Sequence, residues 1–157
     1  DLKVINMGVD YDKYGNEYWK KLEKEYEENL VVIPFSTDEN VKEHYWKDIG
    51  VNCITGIYEP FGYTICETID RRVPVIVSDI DGPKEIIDEV KECVITYEVD
   101  VDNYKNDIHN FKKALNRMLE ISPEERKLNC EKARKCLDKL RPEVIREEWK
   151  KLIQDVL

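Results

Sequence analysis

Glu59-Pro60-Phe61-Gly62-Tyr63-Thr64-Ile65-Cys66-Glu67 decides the reading of this chain. Ahead of it, Val51, Cys53 and Ile54 read as a short buried strand; behind it, Ile65 and Ile69 fall at helical spacing. The turn between holds the only Pro-Phe-Gly of the sequence, and Gly62 admits backbone conformations that a Cβ forbids. Thr64 stands where a helix begins, so the amides of Gly62, Tyr63 and Thr64 lack helical partners. Free amides at a helix start attract anions. Glu59 and Glu67, eight residues apart, bracket those amides, one before the helix and one on its second turn. Amides for an anion and carboxylates for hydroxyls suit a phosphorylated, hydroxyl-rich ligand such as a nucleotide sugar.

Outward from this stretch, strands and helices alternate. Leu2, Val4 and Ile5 make a strand ending at Met7-Gly8, and a polar, Asp-rich loop spans Gly8 to Gly15. Trp19, Leu22 and Tyr26 give a helix over Glu17–Glu28, and the all-apolar Leu30–Ile33 a strand covered on both faces. After the Pro34-Phe35-Ser36-Thr37 loop, Thr37 or Asp38 caps a helix through about Lys47. The strand Val51–Thr55 leads into the central stretch, whose helix runs to about Arg71. Val73–Val77 is the next strand, ending at Ser78-Asp79; Gly82-Pro83 opens a helix through Val90, and Cys93–Tyr97 is a fifth strand. This order predicts an α/β, Rossmann-like, doubly wound parallel sheet.

Past residue 100 the strands stop. Tyr104–Glu120 carries Ile108, Phe111, Leu115 and Leu119 on one face, Ser122-Pro123-Glu124-Glu125 starts a helix to about Lys139, and Pro142 starts the last. These helices are expected to cover the sheet. All 157 residues are expected to form one domain.

Composition narrows the function. No run is long and apolar enough to cross a membrane, and a net charge of −9 argues against nucleic acid as a partner. The five cysteines include no C-x-x-C pair and read as small buried hydrophobes in a reducing cytoplasm. His44 and His109 are far apart in helices, so no metal site is expected.

The central stretch resembles the donor-binding motif of GT-B glycosyltransferases, above all glycosyltransferase family 4 and the related glycogen and sucrose synthases. Glu59-Pro60-Phe61-Gly62-Tyr63-Thr64 followed by Glu67 carries the resemblance, which continues through Val73-Pro74-Val75-Ile76, Ser78-Asp79 and Gly82-Pro83-Lys84-Glu85-Ile86-Ile87. Phe35 to Val41 and the Tyr45 region look like the family's preceding loop and helix. The chain thus resembles the donor half of a GT-B fold. The resemblance implies that Glu59 hydrogen-bonds the hydroxyls of the transferred sugar and orients it. It implies that the Phe61 and Gly62 amides face that sugar and the Tyr63 and Thr64 amides the diphosphate. Glu67 would hold the ribose, and Pro34 and Phe35 would lie near the nucleobase. The implied activity is metal-independent hexosyl transfer with retention at the anomeric carbon, with a nucleotide-diphosphate sugar as substrate and no cofactor.

The chain departs from the family in three places. Asp81 replaces the first of two glycines in its turn. Asp70-Arg71-Arg72 stands where the family has a small residue and a Gly before Val-Pro. The family's N-terminal acceptor domain, and the strand–helix unit with a basic Arg…Lys pair, are not matched, and Asp1 is not an initiator Met. These residues therefore read as an excised piece, or one completed by another chain, with weak donor binding and little transfer alone. The alternatives are a non-catalytic nucleotide-sugar-binding or assembly module and a GT-B sugar-nucleotide epimerase, against which the Glu-x7-Glu spacing argues.

Overall fold

A computed structural model describes residues 3–9, 15–34, 36–80, 82, 84–91 and 93–156. Phe35, Asp81, Pro83 and residues 10–14 of the polar loop lie outside these described residues. The chain divides into two compact units, Asp1–Asp48 and Ile49–Leu157.

In the first unit, β1 (Val4–Val9) and β2 (Leu30–Pro34) pair in parallel, Val4 opposite Leu30 and Met7 opposite Ile33. Helices α1 (Gly15–Glu25) and α2 (Glu39–Trp46) follow the two strands in turn. Val32 and Ile33 are buried, as an apolar run in a covered sheet requires. Glu23 Oε1 accepts from the Val32 amide at 3.2 Å, tying α1 to β2. Asp38 caps α2 by accepting from the Asn40 amide at 2.9 Å.

The second unit runs β3 (Asn52–Ile54), α3 (Tyr63–Asp70), β4 (Val75–Ser78), α4 (Lys84–Val90) and β5 (Val94–Tyr97), then α5 (Tyr104–Glu120), α6 (Pro123–Cys136), a 3-10 turn (Leu137–Leu140) and α7 (Pro142–Val156). Its strands lie in the order β3-β4-β5, all parallel. Successive side chains of a strand point to opposite faces. Val75 and Val77 accordingly pack with Ile65 and Ile69 of α3, Ile86 and Ile87 of α4, and Cys130 and Ala133 of α6. Ile76 packs on the other face with Ile95, Tyr97 and the α5 residues Ala114 and Met118. All four residues of β4 are buried. Helices therefore cover both faces of a parallel sheet, the doubly wound arrangement that the strand–helix alternation predicts. Among the described residues no helix is long and apolar enough to cross a membrane.

Two expectations fail. Cys53, read as buried, is exposed, because β3 is the edge strand of its three-stranded sheet and only half-covered. Of the helices expected to cover the sheet, α5 and α6 do so, but α7 has no buried residue and leaves Trp149, Leu152 and Ile153 exposed. Cys136 is likewise exposed, while Cys93 and Cys130 are buried as expected.

Candidate functional site

Parallel pairing brings the C-terminal ends of β3 and β4 to the same edge of the sheet, where open α/β sheets take ligands. Ser78, the last residue of β4, is fully buried, and its hydroxyl donates to the Gly56 carbonyl in the loop that leaves β3. That bond holds the base of the loop running from Thr55 to Gly62. Gly82 supports its far end. A Cβ there would lie 1.8 Å from the Glu59 carbonyl oxygen and 2.7 Å from the Pro60 carbonyl carbon, so only glycine fits.

Gly62 turns the loop into α3 with φ 101° and ψ 36°, a left-handed conformation suited to glycine. Ahead of it, Glu59 Oε1 accepts from the Phe61 amide at 3.2 Å and from the Gly62 amide at 2.9 Å. The carboxylate is thereby fixed against the helix start, with Oε2 taking no hydrogen bond among the described residues. Gly62 offers no capping side chain, and nothing among the described residues accepts from the amides of Tyr63 and Thr64. Two unfilled donors thus stand beside a fixed carboxylate, in the positive field of a helix start. Tyr63 is exposed, its ring 4.7 Å from that of Phe61.

Behind the helix start, Thr68 anchors α3. Its buried hydroxyl donates to the Thr64 carbonyl at 2.6 Å and accepts from Asn52 Nδ2 of β3 at 2.7 Å. Cys66, half-buried on the same turn, has its thiol pushed up by burial, which keeps it protonated and poorly nucleophilic at neutral pH. Glu67 is exposed on the second turn, and its carboxylate takes no hydrogen bond among the described residues. Among the described residues, no three His, Cys, Asp or Glu side chains gather as a metal ion requires.

Glu59, Phe61, Gly62, Tyr63, Thr64 and Glu67 therefore share one loop and one helix start. Pro34 ends β2 in the first unit and is exposed; Phe35 lies outside the described residues. The roles of Ser78 and Gly82 as props of the loop are absent from the sequence reading, because they depend on tertiary contact. Their placement just after an apolar strand was the available signal.

The two arginines after α3 serve its C-terminal end. The Arg72 amide donates to the Ile69 carbonyl at 2.9 Å and the Val73 amide to the Thr68 carbonyl at 3.1 Å, the paired bonds of a Schellman turn. Arg72 occupies its left-handed position with φ 61°, where glycine is usual. Its guanidinium pairs with Glu131 of α6, and Arg71 Nη1 donates back to the Glu67 carbonyl at 3.1 Å.

The sequence profile described as "Glycosyl transferases group 1" matches residues 2–135. The chain belongs to this glycosyl transferase family. No curated protein sequence matches it. The fold is similar to that of a sucrose-phosphate synthase from Thermosynechococcus elongatus, with a TM-score of 0.74 at 19% identity. That match covers 98% of this chain, which spans 38% of the length of the synthase. The family match runs through the whole Glu59–Glu67 stretch, and the fold match bears out the GT-B resemblance of the sequence.

Proposed function

We propose that this chain is the donor-binding half of a retaining glycosyltransferase that moves a sugar from a nucleotide-diphosphate sugar to an acceptor. The observation that carries the reading is the pairing of a fixed Glu59 carboxylate with the unfilled Tyr63 and Thr64 amides. Glu59, held through Oε1 by the Phe61 and Gly62 amides, turns Oε2 to the hydroxyls of the donor sugar. It orients the sugar and is not the nucleophile. Phe61 and Gly62 line the sugar's side of the loop. The Tyr63 and Thr64 amides take the diphosphate, and as the sugar–oxygen bond breaks they stabilise the charge that develops on the departing phosphate. Glu67 accepts from the ribose hydroxyls.

In this reading no cofactor or metal takes part, and charge on the diphosphate is met by donors of the protein. Two amides carry partial charges only, so further cations and an acceptor-binding domain, in the same or another chain, complete the reaction. The 157 residues, proposed as a single donor domain that works in the cytoplasm, then bind donor weakly and transfer little alone.

Calorimetric titration with UDP-, GDP- and ADP-sugars tests this. One donor is expected to bind, more tightly once a matching acceptor domain is supplied. Absence of binding under both conditions rejects the donor reading and leaves an assembly role for the fold.

A further inference from the structure

Cys93 and Cys130 meet in the core of the second unit. Cys93 immediately precedes β5 and is 3% exposed, while Cys130 on α6 is fully buried. Both pack in one cluster with Val90, Val94 and Ala133, and the two thiols are hydrogen-bonded to each other. That bond, supported by the charge of Arg126, holds Cys130 below the usual thiol range against the opposing effects of burial and of Glu131. Cys93 also lines a cavity of about 430 Å³ at the N-terminal end of β5, together with Lys91, Arg117 and Arg126. Of the pair, Cys93 is the member that a small polar molecule entering this cavity meets.

We propose that Cys93 and Cys130 are a peroxide-oxidisable thiol pair, a modification site separate from the Glu59–Glu67 loop. The oxidant is a small hydroperoxide, hydrogen peroxide being the simplest. The Cys93 sulfur attacks one peroxide oxygen; the S–O bond forms, the O–O bond breaks, and the departing hydroxide takes the Cys93 proton as water. The Cys130 sulfur then attacks the sulfenic sulfur; the S–S bond forms, the S–O bond breaks, and a second water carries off the Cys130 proton. Two thiols give up two electrons to one peroxide, leaving one disulfide and two waters. The new bond staples the start of β5 to α6 across the whole of α5, a long loop whose closure restricts the unfolded chain.

The test uses the full chain with the exposed Cys53 and Cys136 changed to serine, treated with hydrogen peroxide, blocked with N-ethylmaleimide and digested without reductant. Mass spectrometry is expected to find the Cys93 and Cys130 peptides linked, with a dithiothreitol-reversible rise of about 5 °C or more in Tm. In the Cys130→Ala variant of that chain, Cys93 is expected to trap dimedone as a sulfenic acid. Recovery of Cys93 and Cys130 as maleimide adducts after denaturation, or linkage of either to Cys66, overturns the pair.

Discussion

Gly82 lies directly beneath the backbone of Glu59: a Cβ at position 82 would stand 1.8 Å from the Glu59 carbonyl oxygen. The contact joins the turn after β4 to the loop after β3, at the residue whose carboxylate accepts from the Phe61 and Gly62 amides. Gly82→Ala cannot be absorbed by a flexible side chain, since backbone fills the space. Overpacking of this kind costs about 1–3 kcal/mol. Donor affinity of the protein that remains folded is expected to fall as well, by about tenfold or more, because displacement of a binding group by an ångström is severe. Calorimetry beside a thermal melt separates the two effects.

Ser78 makes the matching tie at the base of the loop. Ser78→Ala removes the hydroxyl that donates to the Gly56 carbonyl and is expected to lower stability by about 1–2 kcal/mol. Urea unfolding measures it. An unchanged midpoint means the loop is held without this bond.

Arg72 pairs at the surface with Glu131 but sits in the left-handed region. The ion pair contributes at most about 1 kcal/mol at the surface, and relief of the backbone in glycine is of similar size. Arg72→Gly is therefore expected to leave stability within about 1 kcal/mol of the parent. Arg72→Val keeps the strained backbone, adds β-branching and loses the pair, and is expected to cost about 2 kcal/mol. Chemical denaturation of the two variants side by side gives the order; Val equal to Gly contradicts the strained turn.

Tyr97 supplies a pH test of the core. Burial, with the charges of Asp107 and Cys53 adding to it, pushes its phenol up to about 12, from an ordinary value of 10. The folded state thus holds the proton more tightly than the unfolded state. Its contribution is complete below pH of about 10 and is lost as pH rises through about 12. Tm is expected to fall across that window, and Tyr97→Phe to remove part of the fall. Identical alkaline profiles for the two proteins contradict it.

Much of this was legible in the sequence, for identifiable reasons. Apolar runs such as Val73–Val77, separated by helical periods, give a covered parallel sheet because burial on two faces leaves no polar position in the strand. The Glu59–Gly62 turn was legible because glycine before a helix marks a special conformation. Gly82 was not, since its constraint comes from a loop distant in sequence. The left-handed turn at residue 72 shows in the sequence only as a departure from the family's glycine, because arginine does not mark that conformation. The exposure of Cys53 and of the α7 face was also hidden: periodicity tells which side of an element is apolar, not what covers it.

The central claim is tested most directly by dividing donor affinity between the two carboxylates. Calorimetry would compare the parent with Glu59→Gln and Glu67→Gln, using the nucleotide sugar that binds and the matching nucleoside diphosphate, with the acceptor domain supplied if needed. The account predicts that Glu67→Gln weakens both ligands by a similar factor, about tenfold, and that Glu59→Gln weakens the nucleotide sugar alone. Equal loss of both ligands in Glu59→Gln, or unchanged affinities in both variants, would contradict it.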